Sequence, residues 1–229
     1  MFKIATTSFI KKDTRINNAL YLQKKVNEIE LLYFDSKKSY DFPNKNEIQQ
    51  LVKIPVDYNI HMPIDMNLNN RKNWQIMHKF AENLKYLNPV TYTIHPAENN
   101  TVFIEEIEKF AEKYFPTSIE NINNDTEIFD VIINNNNINI CFDVGHAILY
   151  EIKIYDFLEK YENKISHIHL HGVVKEKDHK SIKYLDKHLL DFIVHFSILK
   201  QITLCLEVFN ENDFIESLNI IKNAVAEFL

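Results

Sequence analysis

Short runs of β-branched and aromatic residues recur roughly every 25 to 30 positions, at about 2–7, 28–34, 57–62, 90–95, 117–121, 138–143, 165–171 and 202–208. Each has the length and composition of a strand. Between them lie segments whose apolar residues fall at helical spacing among Lys and Glu, such as 104–114, 155–161, 185–196 and 214–228. Strand alternating with helix implies a parallel sheet. About eight such units in 229 residues fit an α/β fold of one domain, residues 1–229. Closure as a (β/α)8 TIM barrel suits that number better than an open doubly wound sheet, which usually stops at fewer strands. The asparagine-dominated stretch 121–139 leaves room for only a short or irregular helix between the fifth and sixth strands.

A second period runs inside the strands, because residues i and i+2 share a face and a barrel strand turns alternate residues inward. His167, His169 and His171 share one face, with Ile168 and Leu170 opposite. Asn139, Cys141 and Asp143 oppose Ile140 and Phe142; Thr203, Cys205 and Glu207 oppose Leu204, Leu206 and Val208; Thr91, Thr93 and His95 oppose Tyr92 and Ile94. The polar faces end in histidine or carboxylate at the C-terminal ends of their strands, the end where barrels of this architecture gather their chemistry.

Glycine use narrows the picture. The chain has two glycines, each touching a histidine at the end of an apolar run: Gly145 in Phe-Asp-Val-Gly-His and Gly172 in His-Leu-His-Gly. A glycine at such a point predicts a sharp turn or a positive φ. Two glycines so placed can write neither a Walker phosphate loop nor a Gly-x-Gly-x-x-Gly dinucleotide turn, so chemistry must come from side chains and metal. The net charge of −6 and the lack of a dense Lys/Arg patch argue against affinity for nucleic acid through phosphate neutralisation. No run approaches the roughly 18 apolar residues of a membrane span, and the start lacks an apolar stretch behind a basic region. A soluble, cytoplasmic protein with no membrane partner is expected. Cys141 and Cys205 lie inside apolar runs and read as reduced core residues.

The candidate ligands are His61, His95, Glu120, Asp143, His146, His169, Asp178, His179 and Glu207. Histidine and carboxylate are the donors that hold Zn, Mn or Fe, and burying several carboxylates at one mouth without cations would cost their hydration or neutralise them. Nine donors allow one to three divalent ions; the mixture of O and N favours Mn, with Zn next. His61 and His95 have a plainer alternative as caps of strands that end in Pro-containing turns, and Asp178 with His179 as part of a solvated loop. His167 and His171 flank His169 and are expected to touch substrate or support the ligands. Tyr150 and Phe209, just past ligand strands, are expected to line a pocket. His78, His188 and His195 fall in helical segments and read as packing or surface residues.

With these residues in place the chain resembles the xylose isomerase-like barrel superfamily, which includes sugar isomerases and epimerases and the endonuclease IV type of apurinic-site nuclease, also called AP endonuclease family 2. In the epimerase branch the resemblance implies one divalent metal on Glu120, Asp143, His169 and Glu207. The nuclease branch adds histidines on the third and fourth strands and an Asp/His pair after the seventh, which His61, His95, His146, Asp178 and His179 match. Asp178 and His179 are adjacent where the nuclease separates its pair by one residue, and the basic loops of a DNA-wrapping nuclease are missing. A narrower resemblance rests on Thr-Thr-Ser-Phe-Ile near the start, Ile-Glu-Leu-Leu-Tyr-Phe at 29–34, Phe-Asp-Val-Gly-His, His-Leu-His-Gly-Val, Lys-Asp-His-Lys-Ser and Leu-Glu-Val-Phe-Asn. These motifs look like the cobamide-remodelling phosphodiesterases of the same superfamily, which release the lower-ligand α-riboside and a cobinamide phosphate.

The resemblance implies phosphodiester hydrolysis, with Glu120 and Glu207 bridging metals or positioning water, and Asp143, His146 and His169 as ligands. His61 and His95 would serve a more exposed ion, and Asp178 and His179 phosphate or a further ion. The rival is a one-metal isomerase or epimerase acting on a phosphorylated sugar or keto acid, with Glu120 and Glu207 as a proton-shuttling pair. A non-catalytic cobamide or nucleotide sensor is a third reading.

Overall fold

The computed structural model describes residues 2–39, 41–97 and 101–228. Eight parallel strands close a barrel in it: β1 (Ile4–Thr7), β2 (Glu28–Leu32), β3 (Asp57–His61), β4 (Tyr92–Ile94), β5 (Thr117–Glu120), β6 (Ile138–Asp143), β7 (Ile165–Leu170) and, after a hairpin of β8 (Gly172–Val174) with β9 (Lys177–Lys180), β10 (Thr203–Leu206). The strand order around the barrel is β1-β10-β7-β6-β5-β4-β3-β2. Each expected strand is present, and the sheet closes into the expected barrel.

The helices α1 (Arg15–Leu22), α2 (Lys45–Leu51), α3 (Arg71–Leu84), α4 (Thr101–Lys113), α5 (Glu127–Ile132), α6 (Val144–Leu149), α7 (Ile154–Tyr161), α8 (Lys187–Lys200) and α9 (Glu211–Phe228) fill the intervals. Their starts follow from sequence: Thr14, Asn44, Asn70 and Asp186 each accept a backbone N–H of the first turn. On α3 the buried residues Trp74, Met77, Phe80, Ala81 and Leu84 make one stripe facing the sheet. The asparagine-rich stretch does hold a short helix, the six residues of α5.

Register confirms the alternation. Ile29, Ile60, Ile94, Ile119, Phe142, Ile168 and Leu204 are buried in the core against the helices, while the partners His61↔Thr93, Glu120↔Cys141, Asp143↔His169 and His169↔Cys205 occupy the other face. The apolar core is therefore the layer between sheet and helices; stacking Phe142 on Phe157 at 4.7 Å is typical of contacts worth about 1.5–3 kcal/mol per buried side chain. The barrel interior is polar. At its lower end Glu28 takes Lys3 Nζ at 2.7 Å and Asn59 Nδ2 at 3.0 Å. Burial pushes that carboxyl up, but its interactions with His167 and Lys3 outweigh it and hold it down at about 2.

Two features differ from expectation. Residues 175–181 are not an open loop: Lys175 and Glu176, both with positive φ, form the two-residue turn of the β8–β9 hairpin. Neither glycine has positive φ. Both are required by close approach instead, since a Cβ on Gly145 would lie 2.0 Å from the His171 ring and one on Gly172 would lie 2.3 Å from the Ser181 carbonyl.

Candidate metal centre

Four strand ends converge on one buried cluster. One donor atom from each of Glu120, Asp143, His169 and Glu207 lies within 4.8 Å of the other three, and all four side chains are buried. Ligands around an ion bound at about 2.1 Å sit roughly 3.4 to 4.2 Å apart, so a small contraction closes the set. The unpartnered atoms give an independent test of fit. Glu120 Oε1, His169 Nδ1 and Glu207 Oε2 are buried without a hydrogen bond, although His169 Nδ1 lies only 3.1 Å from Glu207 Oε2. Buried polar groups are rarely left so, and a cation among them would satisfy all three. The residues fit a divalent metal.

The surrounding side chains fix which atom each ligand offers. Glu30 Oε1 takes His169 Nε2–H at 3.0 Å, leaving Nδ1 free for the cluster, the carboxylate–histidine–metal arrangement that orients a ligand. Cys205 Sγ donates to the other oxygen of Glu30, and both cysteines are free thiols. Asp143 caps α6, accepting His146 N–H at 2.7 Å, and its Oδ2 meets His171 Nε2 at 3.1 Å. The backbone N–H of His179 donates to His171 Nδ1 at 3.0 Å; that nitrogen must be the acceptor, so the ring proton sits on Nε2 and is given to Asp143. Asn121 ties β5 to β6 by accepting Asp143 N–H at 2.7 Å and donating to the Asp143 carbonyl at 2.9 Å.

Two further groups border the cluster. His61 Nε2 and His95 Nε2 lie 3.2 and 3.5 Å from Glu120 Oε2 and form a donor group with it. His61 is buried with its Nδ1 3.1 Å from the Met62 carbonyl, while His95 is partly exposed. His146, His171 and His179 form the other group. His179, with φ of 50°, places its ring 4.3 Å from both His171 and Phe209 and directs Nδ1–H to the Glu207 carbonyl at 3.1 Å.

Not every expected site residue joins. Asp178 belongs to no donor group among the described residues, and its 40% exposed side chain lies 3.8 Å from His179. His167 is buried one interior step below His169, 3.7 Å from Glu28, and His171 is fully buried behind Asp143, which it supports by a hydrogen bond. Tyr150 ends α6, exposed, 6.4 Å from His146. Of the helical histidines, His188 and His195 are exposed and His78 packs on Phe110. Glu30, Asn121 and Glu28 were missed; two carboxylates at i and i+2 in a strand were the available signal for the glutamates, whereas nothing local marks Asn121.

Electrostatics gives the centre a proton inventory. Burial pulls the His61 imidazole down, but its bond to Glu120 and the charges of Glu120, Glu30 and Glu207 push it up to about 9. Burial likewise opposes His146, which Asp143 and Glu120 raise to about 10. Against burial, His169 is held well up by its anionic neighbours, imidazolium charge holds Glu120 well down, and Asp143 is held down by His171, which donates to it, and by the nearby His146. In the metal-free protein these imidazoles are therefore charged at pH 7, and each that ligates must first lose a proton. Divalent-metal affinity is expected to rise steadily from pH 6 to about 9, with proton release at pH 7 that calorimetry in buffers of different ionisation enthalpy would count. A pH-independent affinity would mean that no histidine here is a ligand.

No protein-family model matches the chain, and no curated protein matches it in sequence. Solved structures do match in fold. A D-tagatose 3-epimerase-like protein superposes with TM-score 0.81 at 18% identity, covering 99% of each chain. D-Psicose 3-epimerase with D-tagatose from Clostridium cellulolyticum H10 gives 0.72 at 11% identity, covering 99% of this chain and 97% of that one. An AP endonuclease, family 2, from Brucella melitensis gives 0.68 at 14%, covering 92% and 93%. The fold is thus the TIM barrel that these proteins share. Among the described residues no helix is long and apolar enough to cross a membrane.

Proposed function

We propose that this barrel is a metal-dependent enzyme that isomerises or epimerises a small sugar or sugar phosphate. The observation that carries the reading is the buried quartet Glu120, Asp143, His169 and Glu207, and the epimerase-like barrels of similar fold support it. When bound there, a divalent ion, Mn before Zn by its donors, would polarise the carbonyl and hydroxyl oxygens of an α-hydroxy carbonyl compound. Glu120 and Glu207 rise from β5 and from the end of β10. One takes the proton from the carbon beside the carbonyl, and the other returns a proton to that carbon from the opposite face or to its neighbour. Glu30 and His171 hold His169 and Asp143 in place, while burial keeps bulk water from the exchanging proton.

A second reading has its own support. His61 and His95 form a donor group that shares Glu120 with the quartet, the arrangement that two ions about 3.5–4 Å apart need for in-line phosphodiester hydrolysis. It is the cobamide phosphodiesterase reading. Metal analysis of Mn-loaded protein, with turnover, separates the two. About one ion per chain, with solvent deuterium entering ketoses or their phosphates beside the carbonyl, is the expected result. Two or three ions with release of α-riboside and cobinamide phosphate from adenosylcobamide would replace it by the hydrolase, and tight ligand binding without turnover by a sensor.

A further inference from the structure

Three phenylalanines stand on the rim beside the donor cluster. Phe9 follows β1, Phe34 follows β2 and Phe209 follows β10, strands that are neighbours in the barrel. Their rings are mutually near-perpendicular: Phe9 and Phe34 at 5.4 Å and 78°, Phe9 and Phe209 at 6.1 Å and 81°, Phe34 and Phe209 at 6.3 Å and 87°. None is sealed in the core; Phe9 is 43% exposed and the other two are partly buried. Three edge-to-face rings make a corner. A flat ring entering it can lie on the face of one and meet the edges of the others, the two geometries aromatic quadrupoles favour.

The corner is continuous with the chemistry. Phe209 packs against His179 at 4.3 Å, and His179 against His171 at the same distance, so a line of packed rings joins the corner to the donor groups at the barrel mouth. On its other side Phe9 and Phe34 line an open cavity of about 950 Å³ together with Ser8, Arg15, Lys38 and Asp65. That is near the top of the roughly 300–1,000 Å³ of pockets that hold drug-sized ligands, far more than a lone monosaccharide fills.

We infer that Phe9, Phe34 and Phe209 bind a planar aromatic group of the substrate, so that the molecule whose polar end meets the donor cluster is nucleoside-like rather than a bare sugar. The inference rests on the reading that this barrel mouth is the active site; under the isomerase chemistry the sugar with the α-hydroxy carbonyl would carry an aromatic substituent, and under the hydrolase chemistry the aromatic group would be the base of the phosphodiester. Stacking of a base on aromatic side chains changes affinity by roughly 5- to 150-fold per base.

The test needs no turnover. Trp74 is the chain's single tryptophan and is buried, so Phe9→Trp adds a reporter on the corner while keeping its aromatic character. Titrating the Mn-loaded Phe9→Trp protein with adenosine, and separately with ribose, should give quenching by adenosine with a Kd at least about tenfold below that of ribose. Adding Phe34→Ala or Phe209→Ala should weaken adenosine about tenfold and leave ribose unchanged. Equal affinities for adenosine and ribose would overturn the inference, as would adenosine binding that neither alanine weakens. Metal content and catalysis are read in other assays, so the enzyme assignment can fail without this result and the reverse.

Discussion

Glu120→Gln is expected to empty the metal centre and to lower kcat/KM by at least about a thousandfold, a loss of roughly 4 kcal/mol of transition-state stabilisation. Glu120 is the residue shared by the buried quartet and the His61–His95 group. Glutamine keeps the volume but removes the charge, so it withdraws an anionic ligand from the quartet and from the neighbouring group at once. Its loss also removes the partner that raises His61 and contributes to raising His146 and His169, so all three imidazoles should lose their protons at lower pH in the variant. Metal content by mass spectrometry, turnover and a thermal melt should be measured on one preparation. A folded variant with normal metal and turnover would remove Glu120 from the centre. Asp178→Ala is the contrast: its side chain faces solvent outside every donor group among the described residues, so activity within about twofold of wild type is expected.

The barrel was legible because two periods agreed. The recurrence of strands set the number of units, and alternation inside them set which residues turn inward. Three members of the quartet were legible as candidates for the same reason, since Asp143, His169 and Glu207 end polar faces in strands whose other faces are apolar; joining them with Glu120 as one ligand set came from the family resemblance. Alternation assigns a face, however, and not a neighbour across the barrel. That is why His167 and His171, on the same face as His169, read alike as substrate contacts or supports of the ligands, although one lies a layer deeper and the other behind Asp143. The support given by Glu30 to His169 joins residues 139 positions apart, and only closure brings β2 across from β7. The hairpin escaped notice because its turn is Lys175-Glu176, with neither the glycine nor the asparagine that usually marks two positive φ angles.

Gly145 turns this limit into a measurable claim. Its scarcity value was visible, but its reason is a residue 26 positions later. At the second position of α6, replacement of glycine by alanine would ordinarily add up to about 1 kcal/mol of helix stability. Here the new Cβ would fall 2.0 to 2.5 Å from three atoms of the His171 ring. That ring is fully buried and held at both ends, by Asp143 at one nitrogen and the His179 backbone at the other. It cannot yield without overpacking, at about 1–3 kcal/mol, and loss of a charge-assisted hydrogen bond worth about 1.5–3 kcal/mol. Gly145→Ala should therefore destabilise the metal-free protein by about 1.5–6 kcal/mol, at roughly 2–4 °C in Tm per kcal/mol for a chain of this size. His171→Ala will cost stability of its own by opening a cavity, but in that background Gly145→Ala should be neutral or stabilising, a coupling that only contacting residues show. Equal costs of Gly145→Ala with and without His171 would place the strain elsewhere and break the line that runs from the β8–β9 hairpin through His171 to Asp143.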